Sequence, residues 1–138
     1  MLKKLFTTEP IGGSSFVLLF LRIAVSGFML THGYPKLLRL FGEEQIKFSD
    51  PFGIGAVATL ALAVFAEFFC SVFLVLGFAT RFCCLMLAIT MAVAAFHAHG
   101  ADPFSTKEKA LLFLIIYLTL LFLGAGKYSI DHTLFRKR

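Results

Sequence analysis

Arg22, His32, Glu67 and His97 stand inside long apolar runs, and Glu108 stands at the edge of another. An ionisable side chain in such a run costs about 2.5–3.5 kcal/mol on membrane insertion, and it generally faces protein or a wet cavity rather than lipid. These residue types suit proton exchange and headgroup recognition. Imidazole trades protons near neutral pH, and a neighbouring carboxylate can orient it. A guanidinium–carboxylate pair can form a charged floor, or it can simply fix the register of two helices. Lys36 and Arg39, three residues apart, could catch an anionic or phenolic headgroup or snorkel to lipid phosphate.

Spacing sorts these residues into two layers. Counted from one end of the helices, Arg22 lies roughly 12 Å deep and Glu67 roughly 15 Å deep at about 1.5 Å per residue. That predicts an ion pair between the first and second helices. By the same rise, His32, His97 and Glu108 lie roughly 24–27 Å from that end, which predicts an outer layer drawn from helices one, three and four. Helical stripes support the grouping: Arg22, Val25, Met29, His32 and Lys36 on helix one, and Gly55, Thr59, Ala63, Glu67 and Cys70 on helix two. Cys83, Met86, Thr90 and His97 make a stripe on helix three, and Glu108, Leu112, Ile115 and Thr119 make one on helix four. Tyr117 falls on the side opposite Glu108, and His99 projects away from His97 toward the water boundary. The outer layer is open to two main readings, a hydrogen-bonded structural cluster or a site for a small-molecule headgroup of the quinone type. A haem would need small, Gly-rich packing on all helices, which is missing, and no metal is expected.

The elements that must position these residues follow from composition. The chain has 138 residues, 59% hydrophobic and only 15% charged, with mean hydropathy +0.87. Soluble domains average roughly half apolar and a quarter charged, so a soluble globule and a disordered chain are both excluded. A nucleic-acid binder is excluded too, despite a net charge of +5. Trp is absent and Phe occurs 18 times. Cys70, Cys83 and Cys84 all lie in apolar runs; an odd count there reads as apolar filler rather than a disulfide framework. Four stretches are long enough to cross a hydrocarbon core of about 30 Å: residues 14–34, 54–76, 81–98 and 107–123. They lack strict alternation, and only helices or closed barrels satisfy the backbone in lipid. The expected fold is therefore all-α, a single transmembrane domain over 1–138 that forms a four-helix bundle.

Pro35 is expected to end or kink the first helix, and residues 36–41 read as a short amphipathic turn at the membrane surface. Gly77-Phe78-Ala79-Thr80 is a tight connection, so helices two and three must be antiparallel neighbours. Lys3, Lys4, Arg81, Lys127, Arg136, Lys137 and Arg138 lie on one side, against Lys36, Arg39, Lys47, Lys107 and Lys109 on the other. This bias predicts both termini in the cytoplasm. The basic start, Lys3-Lys4, resembles the beginning of a signal peptide, but Arg22 interrupts the following run and no cleavage site is evident.

The polar residues stand in a recognisable order: Leu21-Arg22, His32-Gly33 with Lys36, Glu67, Leu76-Gly77 with Thr80-Arg81, His97, Glu108 with Ala110-Leu111, and finally Gly124-Ala125-Gly126-Lys127-Tyr128-Ser129-Ile130-Asp131. From Val17 to Leu134 the chain resembles the DoxX family of small four-helix bacterial inner-membrane proteins. The resemblance implies a multi-pass inner-membrane bundle with both termini inside. It implies Arg22, His32, Lys36, Glu67, His97 and Glu108 as the functional polar set, with Asp131 in a motif that caps helix four. Relatives include the membrane subunit of a thiosulfate:quinone oxidoreductase and membrane partners in thiol-redox and oxidative-stress systems. No catalytic cysteine carries over.

The expected function is a membrane component of a quinone- or thiol-linked redox system. It would hold a small apolar ligand, a quinone for instance, with His32, His97, Glu108 and Lys36 as ligand contacts and Arg22–Glu67 as the buried pair. The chain shows no autonomous catalytic motif and no cofactor motif, so electrons would come from a redox partner subunit. The bilayer is the expected environment, and a homo-oligomer is compatible with this reading. Two alternatives stay open: a structural or assembly partner without chemistry of its own, and a small transporter.

Overall fold

Proline and glycine punctuate the apolar runs differently from what their residue types predict. The computed structural model describes residues 13–135, so Lys3, Lys4, Arg136, Lys137 and Arg138 of the charge count lie outside the described residues. The first helix, α1 (Ser14–Leu40), runs straight through Pro35. The missing Pro35 N–H strands one carbonyl, a defect that membrane helices accommodate through local readjustment. Lys36 therefore sits on the same rod as Arg22. At about 1.5 Å per residue the rod is roughly 40 Å long, and the expected amphipathic turn after Pro35 is the last turn of this same helix, up to Leu40.

Asp50 organises the connection to the second helix. Its carboxylate accepts the Ile54 and Gly55 N–H groups at 3.0 and 2.7 Å, and it lies 3.0 Å from the Thr59 hydroxyl. The backbone amide of Gly55 is the main reason its acidity is raised, holding the Asp50 carboxyl below the usual range. Helix α2 (Ala56–Leu76) follows, and its central turns, Phe65–Cys70, are π-helical. Helix α3 (Thr80–Ala98) also loosens into π geometry at Ala94–Ala98. Helix α4 (Phe104–Leu123) and the short α5 (Ile130–Phe135) complete the order. Among the described residues there is no strand.

Each long helix packs mainly against its neighbour in sequence, giving an up-and-down bundle. The core holds Val25, Met29, Leu74, Leu87, Met91 and Leu120, together with the free thiols of Cys70, Cys83 and Cys84. The outer faces carry Phe16, Phe20, Phe28 and Phe122, all well exposed. An apolar exterior over helices of this length belongs in a bilayer. Three helices, α1, α2 and α3, are long and apolar enough to cross one. The protein is an all-helical membrane protein.

Candidate functional site

The bundle has two polar ends, and the expected Arg22–Glu67 pair is divided between them. Arg22 is fully buried, and it donates from Nη1 to the Ala125 carbonyl at 2.8 Å and from Nη2 to the Tyr128 carbonyl at 2.7 Å. Those carbonyls belong to the chain that leaves α4. The Arg22 guanidinium also lies against Gly77, whose φ of +69° and lack of a side chain make room for it. The Asp131 N–H donates to the Gly77 carbonyl at 2.9 Å. The Asp131 carboxylate accepts from the Ala79 and Thr80 N–H groups, both at 2.8 Å. Asp131 thus caps α3 and not helix four, and it braces Ala79, which has a left-handed φ of 48°. The Gly124–Asp131 motif is a clamp that closes this end of the bundle over Arg22.

Glu67 is held elsewhere. Lys36 Nζ donates to both of its oxygens, at 2.5 and 2.6 Å. Depth arithmetic misses this pairing because α1 continues past Pro35 and the lysine stem reaches back along it. Contact between the helices is unusually close here. A Cβ on Gly33 would come within 2.7 Å of the Glu67 carbonyl carbon and oxygen and 2.8 Å of the Phe68 nitrogen. Gly33 therefore lies flush on the π-helical turn that bears Glu67, and Lys36, one turn further on, is brought over the carboxylate. Single π turns in helices are frequent at functional sites. Above the pair, the Phe48 ring of the connecting segment lies 5.8 Å from Lys36 Nζ, within cation–π range.

A cavity of about 290 Å³ opens beside this pair, with Met29, Met91, Ala94, Ala110 and Phe113 as its apolar walls. Its polar lining is Lys36, Glu67, His32, His99, Thr106 and Lys109. His32 meets Phe113 edge-on with ring centroids 6.2 Å apart, and Phe113 in turn stacks on the buried ring of Tyr117. His99 Nδ1 lies 2.7 Å from an Asp102 carboxylate oxygen, which orients its ring.

His32, itself exposed, and Lys36 thus line the cavity, whereas the exposed His97 and Glu108 do not. Their places are taken by His99 and Lys109. On α3 the inward stripe is Leu87, Met91 and Ala95, and the π-helical turn at Ala94–Ala98 carries it to His99. On α4 the inward stripe is Ala110, Phe113, Tyr117 and Leu120, with Tyr117 and Leu120 fully buried. The expected stripe, Leu112 and Ile115 with Glu108 and Thr119, is the outer face. The inner stripe is just as periodic in the sequence, and its aromatic residues are the signal that could have singled it out.

Residues 17–100 match the family model described as DoxX. Two similar proteins, both from Haemophilus influenzae and both described only as uncharacterized, align over nearly the whole chain. One is 34% identical over 88% of this chain and 93% of its own length. The other is 31% identical over 91% of this chain and 87% of its own. No solved structure matches.

Proposed function

We propose, from the premise that the chain belongs to the DoxX family of membrane proteins, that it binds a small amphipathic molecule of the quinone type and serves a redox system in the bilayer. One observation carries this reading: the half-buried Lys36 and the buried Glu67 pair at a cavity whose apolar walls include Met29, Met91 and Phe113. A closed structural pair has no use for such a cavity. A quinone headgroup would take a hydrogen bond from Lys36 at a carbonyl oxygen, and Glu67 would accept from the hydroxyl formed on reduction. His32 and His99 would exchange protons at the rim, and the apolar walls would hold the ring. Electrons would come from a partner subunit.

In the same reading α4 is a fourth span. Its apolar stretch begins at Ala110, with Lys107 and Lys109 snorkelling to the interface. Both termini then lie in the cytoplasm and the Lys36–Glu67 cavity opens toward the outer leaflet of the bacterial inner membrane. The test is binding of decylubiquinone to the protein purified in mild detergent. The expected result is one bound molecule per chain, lost in Glu67→Gln while the fold is kept. If wild type and variant alike bind none, the reading fails and an assembly role replaces it.

A further inference from the structure

Another cavity, of about 650 Å³, lies at the other end of the bundle, beside the clamp over Arg22. Here α3, long and apolar enough to span a bilayer, begins, so the cavity lies where this helix leaves the hydrocarbon. Arg81, Lys127 and His132 line the cavity, against one acidic side chain, Asp131. Both Asp131 oxygens are already occupied by the Ala79 and Thr80 N–H groups at 2.8 Å. Arg81 and Lys127 are exposed, and neither has a carboxylate partner among the described residues. Two cations against one carboxylate leave the lining net positive. Thr80, also in the lining, is 1% exposed, and its hydroxyl has no hydrogen-bond partner. Two aromatic side chains also line it, Phe82 at 53% and Phe135 at 76% exposure.

We infer that this cavity seats the phosphate headgroup of an anionic phospholipid, with Arg81 and Lys127 as its cationic clamp. His132 supplies a further donor, and the acyl chains run along Phe82 and Phe135. A free phosphate ion shares the anion chemistry but leaves the two aromatic rings without an occupant. This site is separate from the Lys36–Glu67 cavity and does not depend on the function proposed there.

The test is lipid retention by the full chain in nanodiscs and by native mass spectrometry. Phosphatidylglycerol is compared with phosphatidylcholine, and inorganic phosphate serves as competitor. Wild type is expected to hold phosphatidylglycerol selectively and to keep it when phosphate is added. The R81Q/K127Q double variant is expected to lose about 30-fold in retention, at roughly fivefold per basic residue near a membrane surface. Lys47→Gln, an exposed lysine remote from the cavity, should change nothing. Both clamp residues are exposed, so circular dichroism should show the variants folded, and the single K127Q variant gives a milder reading of the same loss. Equal retention of the two lipids by wild type, or unchanged retention by the double variant, overturns the site. Displacement by inorganic phosphate overturns the lipid as its occupant.

Discussion

Arg22 and Glu67 are both charges buried between helices, and the protein treats them in opposite ways. At the Arg22 end the charge is answered by backbone: two carbonyls from the chain after α4, under a clamp that also caps α3. Nothing there is free to change partners without dismantling the turn. At the other end the charge is answered by one flexible side chain, 27% exposed, beside an open cavity. A lysine can leave its carboxylate, whereas backbone carbonyls cannot leave their arginine. The first arrangement suits rigidity, and the second suits exchange with a ligand.

The largest effects should therefore fall at the clamp. Gly77→Ala puts a side chain into the Arg22 guanidinium at a positive φ. The left-handed backbone and the overpacking together should cost roughly 2–5 kcal/mol. Arg22→Gln forfeits two hydrogen bonds from a charged donor, at about 1.5–3 kcal/mol each. Thermal unfolding in detergent should show both variants strongly destabilised. An unchanged midpoint in either would mean that the clamp does not hold this end.

Glu67→Gln should be milder, near 1 kcal/mol, because Lys36 can turn its amine toward water. If it destabilises as much as Arg22→Gln, the two ends are alike and the contrast fails. Smaller again, and confined to ligand affinity, is the histidine comparison. His99→Ala should weaken decylubiquinone binding by roughly five- to tenfold, the value of one hydrogen bond, and His97→Ala should leave it unchanged. The reverse order would restore the outer layer predicted by simple helical spacing.

The smallest effect concerns neither buried charge but the α1–α2 connection, and it calibrates the other measurements. The folded-state acidity of Asp50 is raised by the amide of Gly55. Its contribution to stability is therefore fully present above the ordinary carboxylate pKa, roughly pH 4, and is lost as pH falls through the depressed value. A titration of unfolding midpoint against pH should show this acid-side loss in wild type and a shallower one in Asp50→Asn.

The helices were legible in the sequence because length and hydropathy largely set them: a helix overlaps each of the four expected stretches, and three of the four, α1, α2 and α3, are long and apolar enough to cross a bilayer. The inward stripe of α1 was also largely legible, since Arg22, Val25 and Met29 are indeed buried. What misled was choosing a face on α3 and α4. In water, the apolar face of a helix is its inner face. In lipid both faces are apolar, so Leu112 and Ile115 on the outside read the same as Phe113 and Leu120 on the inside. His97 and Glu108 were assigned inward from depth and stripe spacing, but both lie near helix ends, where a polar group can reach water. The clamp was hidden for another reason. Its hydrogen bonds join backbone atoms to side chains 51 to 106 residues away, and no periodicity records such a contact.

That separation has a consequence for biosynthesis. Arg22 precedes its first acceptor by 103 positions. At about 5–20 residues per second, the first helix waits roughly 5–20 s on the ribosome before its guanidinium can find the carbonyls that will hold it. During that interval the charge must be tended by water, by lipid phosphate or by the insertion machinery. A chain interrupted before Ala125 would carry an unanswered cation in its first span, a chemical mark by which a quality-control protease could tell an unfinished copy from a finished one.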